Sequence, residues 1–188
     1  MSVPVLFILL WVGFYGYWLV QARRASSTTR SAGHLPDFLH LVAVATGLTL
    51  MLAPVPGALG VRILPNETVV PGILVALVGW SFAVWARVVL GHLWSSAITL
   101  KRGHVVVTSG PYRVVRHPIY TGILLAILGT ALSVGTSAAT LGLIVVIGTY
   151  LAKIRREDRW LLALFGAEYE CYRGRVPTLV PHLTFRQR

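Results

Sequence analysis

Four stretches of the chain contain no Asp, Glu, Lys or Arg, and their lengths limit what the chain can fold into. They are Val3–Gln21, Phe38–Val61, Thr68–Ala86 and Ile119–Ala152. A bilayer core of about 30 Å is crossed by about 20 helical residues, so the first three stretches each fit one membrane-spanning helix. Only 12% of all residues are charged, against about 25% in an ordinary soluble domain. The sequence therefore predicts a polytopic membrane protein.

The fourth stretch is too long for a single span. As one helix, Ile119–Ala152 would extend about 51 Å. Its middle, Ser-Val-Gly-Thr-Ser at 133–137, is small and turn-prone. This pattern predicts two helices joined by a tight turn, with Lys153 snorkelling from the end of the second helix. The predicted fold class is therefore all-α, a membrane helical bundle with five transmembrane helices.

The positive charges predict an orientation in the membrane. Every Lys and Arg except Arg62 lies in 21–37, 87–118 or 153–188. These segments all face the cytoplasm if the N-terminus is outside and the C-terminus inside, in agreement with the positive-inside rule. We expect the first apolar stretch to be a retained anchor in the cell's inner membrane, because its arginines follow it instead of preceding it.

The net charge of +11 has two explanations at this level, nucleic acid binding or membrane topology. The charges lie between apolar stretches and not along one amphipathic face, so we attribute them to topology and expect no nucleic acid partner. The single cysteine, Cys171, excludes an internal disulfide and a cysteine-based metal cage. We expect no metal cofactor, since no metal-ligand spacing is present.

A cluster of polar and aromatic residues surrounds the point where the predicted fourth helix begins, at His117-Pro118. Proline suits the first helical position, and the free amide groups and dipole of a helix N-terminus favour an anion. Arg116 precedes this point, and Tyr120 and Gly122 follow within about one turn. The pattern is typical of a site for an anion and a planar ring. Composition alone also allows a simpler explanation, a capped helix start with inside-positive arginines.

A second polar segment should continue the fifth helix beyond the membrane and end at Gly166, a suitable C-cap. It contains the adjacent acids Glu157 and Asp158 within a basic run. Salt bridges with neighbouring arginines on the helix surface are the simplest explanation of these acids.

Residues 167–177 follow as a short helix or turn. On a helix, Tyr169, Tyr172 and Arg173 would share one face, because they are spaced i, i+3 and i+4. This segment should fold back over the helix ends.

Two sequence motifs resemble those of a known protein family. Gly-Pro-Tyr-Arg at 110–113, followed by Arg-His-Pro-Ile-Tyr-Thr-Gly at 116–122, resembles the signature of the isoprenylcysteine carboxyl methyltransferase family. The acidic pair and the aromatic and basic residues up to Pro177 are similar to the end of the same family. The resemblance covers 85–183, and phospholipid methyltransferases carry a related pattern. The chain departs from the usual Glu-Glu pair, since it has Asp158 in second place.

The resemblance implies a single membrane methyltransferase domain, 1–188, which uses S-adenosyl-L-methionine. Residues 1–86 would be N-terminal membrane helices, and 87–188 would be the catalytic half with a cytoplasmic C-terminal cofactor-binding segment. Glu157 would bind the ammonium or ribose hydroxyls of the cofactor. The implied cofactor residues are Tyr112, Arg116, His117, Pro118, Tyr120, Gly122, Glu157 and Asp158.

Methyl transfer is an in-line displacement and needs positioning more than acid–base help. The expected acceptor is lipophilic, a carboxylate such as isoprenylcysteine, which is already ionised at neutral pH since its pKa is about 3.5. Arg173 and Arg116 are the candidate cations to hold it. A phospholipid amine or a small thiol is the alternative acceptor, and for an amine Glu170 or Glu157 would serve as the base.

Two other classes of function stay open from the sequence. A sterol-reductase-like oxidoreductase would use NADPH, although such proteins are longer than 188 residues. A non-catalytic membrane module would bind no cofactor. We expect membrane lipids and a lipophilic or lipidated substrate as partners.

Overall fold

A computed structural model describes residues 2–22, 28–31, 35–91, 99–101 and 106–181. The helices are α1 (Val3–Ala22), α2 (Leu35–Leu52), α3 (Val69–Leu90), α4 (Pro118–Val134), α5 (Ser137–Phe165) and α6 (Ala167–Arg175), and the strands are β1 (Thr28–Ser31) and β2 (Thr99–Lys101). The two strands pair antiparallel as a small ribbon. Residues 102–105 lie outside the described part of the chain.

The predicted all-α bundle of apolar helices is confirmed. In the part of the chain that the structure describes, four helical segments are long and apolar enough to cross a membrane, and α4 is a shorter apolar helix of 17 residues. The four are Val3–Gln21, Leu35–Leu52, Asn66–Leu90 and Ser137–Phe165.

The predicted break in the long fourth stretch is also confirmed. Helix α4 ends at Val134, and Gly135 adopts a left-handed conformation with φ of +69°. The Thr136 hydroxyl then accepts a hydrogen bond of 3.1 Å from the N–H of Ala139 and caps α5. The two helices therefore form a tight hairpin.

Small residues bring α3 and α4 together. A Cβ atom added to Gly79 would lie 2.5 Å from the carbonyl oxygen of Gly122, and one added to Gly72 would lie 2.7 Å from that of Gly129. Neither contact leaves room for a side chain, so the two backbones approach as closely as small residues allow. This packing positions the start of α4 against α3.

Arg62, the one basic residue separated from the others in sequence, binds the end of α4. Its Nη1 donates to the carbonyl oxygens of Ser133 at 2.9 Å and Val134 at 2.7 Å. The last carbonyls of a helix have no intrahelical donor and carry the negative end of its dipole. Arg62 therefore has a structural role at the turn between α4 and α5.

The prediction that Lys153 snorkels to the membrane surface is wrong. Its side chain is buried, and its Nζ lies 4.0 Å from Oδ1 of Asp37 in the first turn of α2. Arg156 Nη2 lies 3.5 Å from the same oxygen. An acid more than a hundred residues away in sequence thus holds these two basic groups of α5.

Helix α5 continues beyond its apolar part, as predicted. It ends at Phe165, and Gly166 follows with φ of +52°. The short helix predicted next is α6. On it Tyr169 and Tyr172 are buried, whereas the side chain of Arg173 is 41% exposed.

Candidate active site

The start of α4 lies directly against the chain that follows α6. Pro118 is the first helical residue, as the sequence predicts. The N–H of Arg116 donates to the carbonyl oxygen of Pro177 at 2.8 Å, and that of His117 donates to Thr178 at 3.1 Å. Main-chain hydrogen bonds thus hold the C-terminal segment across the beginning of the helix.

Arg116 strengthens this junction with its side chain, which is 9% exposed. Its Nη1 donates to the carbonyl oxygens of Arg173 and Val176, both at 2.9 Å. Its Nη2 donates to the Thr178 hydroxyl at 2.8 Å and to Asp158 Oδ2 at 3.1 Å. Because four protein acceptors already surround the guanidinium, the geometry favours a structural role for Arg116 over contact with a methyl acceptor.

Asp158 is the polar centre of the site. Its Oδ1 lies 2.8 Å from Nε2 of His117 and accepts a hydrogen bond from the Tyr169 hydroxyl, and its Oδ2 faces Arg116. Surface pairing with neighbouring arginines, the simplest explanation from sequence, is therefore wrong for this acid. Its partners come from α6 and from the two residues that precede α4.

These partners keep Asp158 ionised. The residue lies on the charged extension of α5, beyond the apolar segment 137–152. Burial acts to raise its pKa, but the hydrogen bond and charge of His117, the Tyr169 hydroxyl and the Arg116 charge outweigh burial and lower the pKa to about 2. Conversely, burial and then the bond to Asp158 raise the pKa of Tyr169, which remains a donor.

Glu157 differs from its neighbour. Its Oε2 is buried and has no hydrogen-bond partner among the residues that the structure describes. The nearest basic atom is Nδ1 of His117, at 3.8 Å. A buried carboxylate oxygen needs a donor, because leaving it unpaired is costly. Glu157 is therefore the acid of the pair that has a buried oxygen without a donor among the described residues.

Aromatic rings line the side of the site that faces the helices. The His117 and Tyr120 rings stack at 5.6 Å with an interplanar angle of 10°, and Tyr150 meets Tyr120 edge-on at 5.4 Å. Tyr112 is buried instead beneath α6, where its carbonyl oxygen accepts the Tyr172 hydroxyl at 2.7 Å. Of the two tyrosines predicted to face a planar ligand, Tyr120 is the one beside Glu157 and His117.

Two further residues predicted for the site have structural surroundings. Pro118 is fully buried at the helix start, and Gly122 faces the backbone of Gly79 on α3. Helix packing accounts for the glycine at 122. Its role beside a ligand stays a prediction.

Two of the residues predicted to act on the acceptor, Arg173 and Glu170, lie on the outer face of α6. Arg173 Nη2 donates to Oε1 of Glu170 at 2.9 Å, and the two side chains are 41% and 54% exposed. The structure thus brings Arg116, His117, Glu157 and Asp158 together and leaves this ion pair at the surface.

Sequence reasoning missed the role of Tyr169 as a partner of Asp158. The only signal was its place on the predicted inner face of α6, which indicates burial but not its hydrogen bond. It also missed Thr178, for which no signal exists in the sequence.

Comparison with known proteins agrees with the resemblance of the sequence motifs. Residues 72–163 match the model of the isoprenylcysteine carboxyl methyltransferase family. This region runs from α3 through the acidic pair of α5 and therefore contains His117, Glu157 and Asp158.

Three similar proteins have different names. The chain is 36% identical over 99 residues to protein-S-isoprenylcysteine O-methyltransferase of Schizosaccharomyces pombe, and 38% identical over 97 residues to cobalt-zinc-cadmium resistance protein CzcN of Cupriavidus metallidurans. It is 44% identical over 78 residues to methanethiol S-methyltransferase 2 of Bradyrhizobium diazoefficiens. The matches cover 51%, 50% and 41% of this chain but only 42%, 44% and 29% of those proteins. The chain thus spans less than half the length of these relatives.

Proposed function

Because residues 72–163 of this chain match the model of the isoprenylcysteine carboxyl methyltransferase family, we propose that it is an integral membrane methyltransferase that uses S-adenosyl-L-methionine. The observation that carries the proposal is the buried Oε2 of Glu157 beside His117, which has no hydrogen-bond partner among the described residues and lies within the part of the chain that matches the family. A site with an open acid suits a cationic ligand.

The residues present fit this cofactor. It carries an ammonium group, a carboxylate, ribose hydroxyls and a planar adenine, and when bound it supplies a methyl group activated by a sulfonium. Glu157 would accept hydrogen bonds from the ammonium or the ribose. The N-terminus of α4 suits the carboxylate, and Tyr120 offers an aromatic surface.

Asp158 and Arg116 have a different part in the proposal. Both carboxylate oxygens of Asp158 and both terminal nitrogens of Arg116 already bind protein groups. They hold His117 and the C-terminal segment in place around the ligand, and His117 and Glu157 present the atoms that contact it.

A lipophilic carboxylate, such as that of an isoprenylcysteine, is the proposed acceptor. The name of the fission yeast relative supports this class. The acceptor would enter from the bilayer and be held by Arg173, whose planar fork of donors matches a carboxylate. The acceptor carboxylate would replace Glu170 as the partner of Arg173, because the existing ion pair is exposed and an exposed ion pair is weak.

A thiol is the second candidate acceptor, because the bacterial relative named for methanethiol is 44% identical over its matched residues. A thiol has a pKa of about 8.5 and must lose a proton before it attacks. Glu170 or Glu157 would be the base for such a substrate, whereas a carboxylate needs none.

The orientation is also part of the proposal. The positive-inside distribution supports a topology with the N-terminus outside and the acidic pair on the cytoplasmic side of the inner membrane. The cofactor, which is polar, would then approach from the cytoplasm and the acceptor from the lipid.

The test uses the full chain purified in detergent. Calorimetric titration with S-adenosylhomocysteine should give saturable binding, and titration with NADPH should give none. Transfer of labelled methyl groups is then measured with a farnesylated cysteine carboxylate and with a hydrophobic thiol. Binding of NADPH alone would overturn the proposal, and transfer to the thiol alone would replace the first acceptor with the second.

A further inference from the structure

Two basic side chains of α5 lie close to Glu157 in sequence but contact α2. Lys153 is one helical turn before Glu157, and Arg156 is the residue directly before it. The Nζ of Lys153 lies 4.0 Å from Oδ1 of Asp37, and Nη2 of Arg156 lies 3.5 Å from the same oxygen. Arg156 also donates to the carbonyl oxygen of Pro36 at 3.5 Å. The start of α2 therefore binds both of these cations.

Lys153 has two acids within its reach. Residues four apart on a helix are neighbours on its surface, so the side chains of Lys153 and Glu157 can meet across one turn. Lys153 is the first residue beyond the apolar segment 137–152. Burial lowers the pKa of its ammonium, and the charges of Asp37 and then of Glu157 act to raise it. The ammonium thus interacts with both acids, and more strongly with Asp37.

The burial of Lys153 makes an acidic partner important. Its side chain is 8% exposed, and that of Asp37 is 18% exposed. Removing one member of a buried ion pair is costly, because the other charge is left without compensation. If Lys153 lost Asp37, the carboxylate one turn away on its own helix would be available to replace it. That carboxylate is Glu157, whose buried Oε2 has no hydrogen-bond partner among the described residues.

Asp37 is well placed to compete with Glu157 for this ammonium. It lies in the first turn of α2, where the helix dipole favours a negative side chain. Helix α2 is also packed closely against α5, because a Cβ atom added to Gly47 would lie 2.9 Å from the carbonyl oxygen of Gly142. This packing holds the carboxylate of Asp37 beside Lys153.

We propose that Asp37 is a positioning residue for Glu157. It holds the ammonium of Lys153 on the side of α5 that faces α2, and so prevents Lys153 from neutralising Glu157. This inference rests on the proposed function, in which Glu157 stays available for a cationic ligand. It assigns a role in the site to a residue of α2, a helix that lies outside the matched segment 72–163.

Asp37→Asn removes the charge of the acid with little change of shape. Lys153 should then pair with Glu157 and compete with the ammonium of a ligand. Calorimetric titration in detergent compares S-adenosylhomocysteine with its deaminated analogue, which lacks only the ammonium. The wild-type protein should prefer S-adenosylhomocysteine by roughly tenfold or more, as expected for a charge-assisted hydrogen bond. Asp37→Asn should lose most of this preference and keep its affinity for the analogue.

A second substitution tests the cause of that loss. Adding Lys153→Met to Asp37→Asn removes the competing ammonium, so the double variant should regain the preference, and Lys153→Met alone should keep it. Glu67→Gln is the matched control, since it removes one exposed acid from the connection before α3, and it should behave as wild type. The inference is overturned if the double variant stays like Asp37→Asn, or if Asp37→Asn weakens the binding of both ligands equally.

A crystal structure of the wild-type protein with S-adenosylhomocysteine gives a result that does not depend on the folding of any variant. The Nζ of Lys153 should lie nearer to Asp37 than to Glu157, and Nζ within hydrogen-bond distance of Glu157 would overturn the inference. Equal wild-type affinity for both ligands, or an unchanged preference in Asp37→Asn, would overturn this inference alone. Binding of neither ligand by the wild-type protein would overturn the proposed function as well.

Discussion

Tyr172 donates its phenolic hydrogen to the main-chain carbonyl oxygen of Tyr112 over 2.7 Å, and both side chains are buried. The bond joins α6 to the turn before α4, sixty residues earlier in the chain. Burial, opposed by the Arg116 charge and supported by that of Asp158, raises the pKa of Tyr172 to about 12. The hydroxyl therefore remains a donor across the physiological range.

Tyr172→Phe should destabilise the protein by about 1–3 kcal/mol, because it leaves a buried carbonyl oxygen without its donor. Thermal and denaturant unfolding in detergent would measure the change. Cys171→Ser is the matched control, since Cys171 is the exposed neighbour on the same helix. Equal stability of the two variants would show that the bond contributes nothing.

Glu157→Gln should weaken S-adenosylhomocysteine binding by roughly tenfold or more while the protein stays folded. The physical reason is the loss of a charge-assisted hydrogen bond, which typically contributes about 1.5–3 kcal/mol. Calorimetric titration gives the affinity, and the exposed Glu168→Gln serves as control. An unchanged affinity in Glu157→Gln would show that Glu157 does not bind the cofactor and is an ordinary surface charge of α5.

Arg173→Lys should retain cofactor binding and lose most turnover, because an ammonium cannot reproduce the bidentate contact of a guanidinium with a carboxylate. The measurement is methyl transfer to a farnesylated cysteine carboxylate. Glu170→Gln distinguishes the two roles of Arg173, since it removes only the partner in the ion pair. If the two variants have equal and near-normal turnover, Arg173 is a surface residue.

Low pH should selectively remove the stabilisation that the ionised Asp158 side chain provides. Its folded-state pKa of about 2 lies below the ordinary value of 3.8, so the stabilisation is present above the ordinary value and is lost as the pH falls towards 2. The difference in unfolding free energy between wild type and Asp158→Asn should thus shrink by about 2 kcal/mol from pH 5 to pH 2. Cys171→Ser should show no such trend. A difference that is constant with pH would contradict the assignment.

Membrane topology can be tested with the native cysteine. Cys171 is exposed on α6, and an impermeant thiol reagent should reach it only from the cytoplasmic side. In a Cys171→Ser background, Val61→Cys should be labelled only from outside, because Val61 is exposed in the connection between α2 and α3. Labelling of both positions from one side would exclude the five-helix topology with its ends on opposite sides.

Local signals in the sequence predicted much of the fold. The small residues at 133–137, Pro118 at a helix start and Gly166 at a helix end are decided by backbone preferences of a few neighbouring residues. The structure has each of these features where it was predicted. The apolar stretches likewise predicted the helices, since their lengths reflect the bilayer alone.

Contacts between distant residues could not be predicted. Whether Asp158 contacts Arg155 on its own helix or Arg116 before α4 depends on how α4 and α5 pack, and no sequence periodicity indicates this packing. The same holds for Lys153, whose partner Asp37 lies on α2. In both cases the local rule indicated a surface charge, and tertiary packing buried it.

Helices α4 and α5 form one hairpin but differ in length. Helix α4 extends about 26 Å over its 17 residues, and the apolar part of α5, 137–152, extends about 24 Å. Both lengths are below the roughly 30 Å hydrocarbon thickness, so the bilayer must thin beside this hairpin. Since His117 precedes α4 and Glu157 lies on α5, hydrophobic mismatch acts on the separation of these two residues, and the thickness of the surrounding lipid becomes part of the geometry of the site.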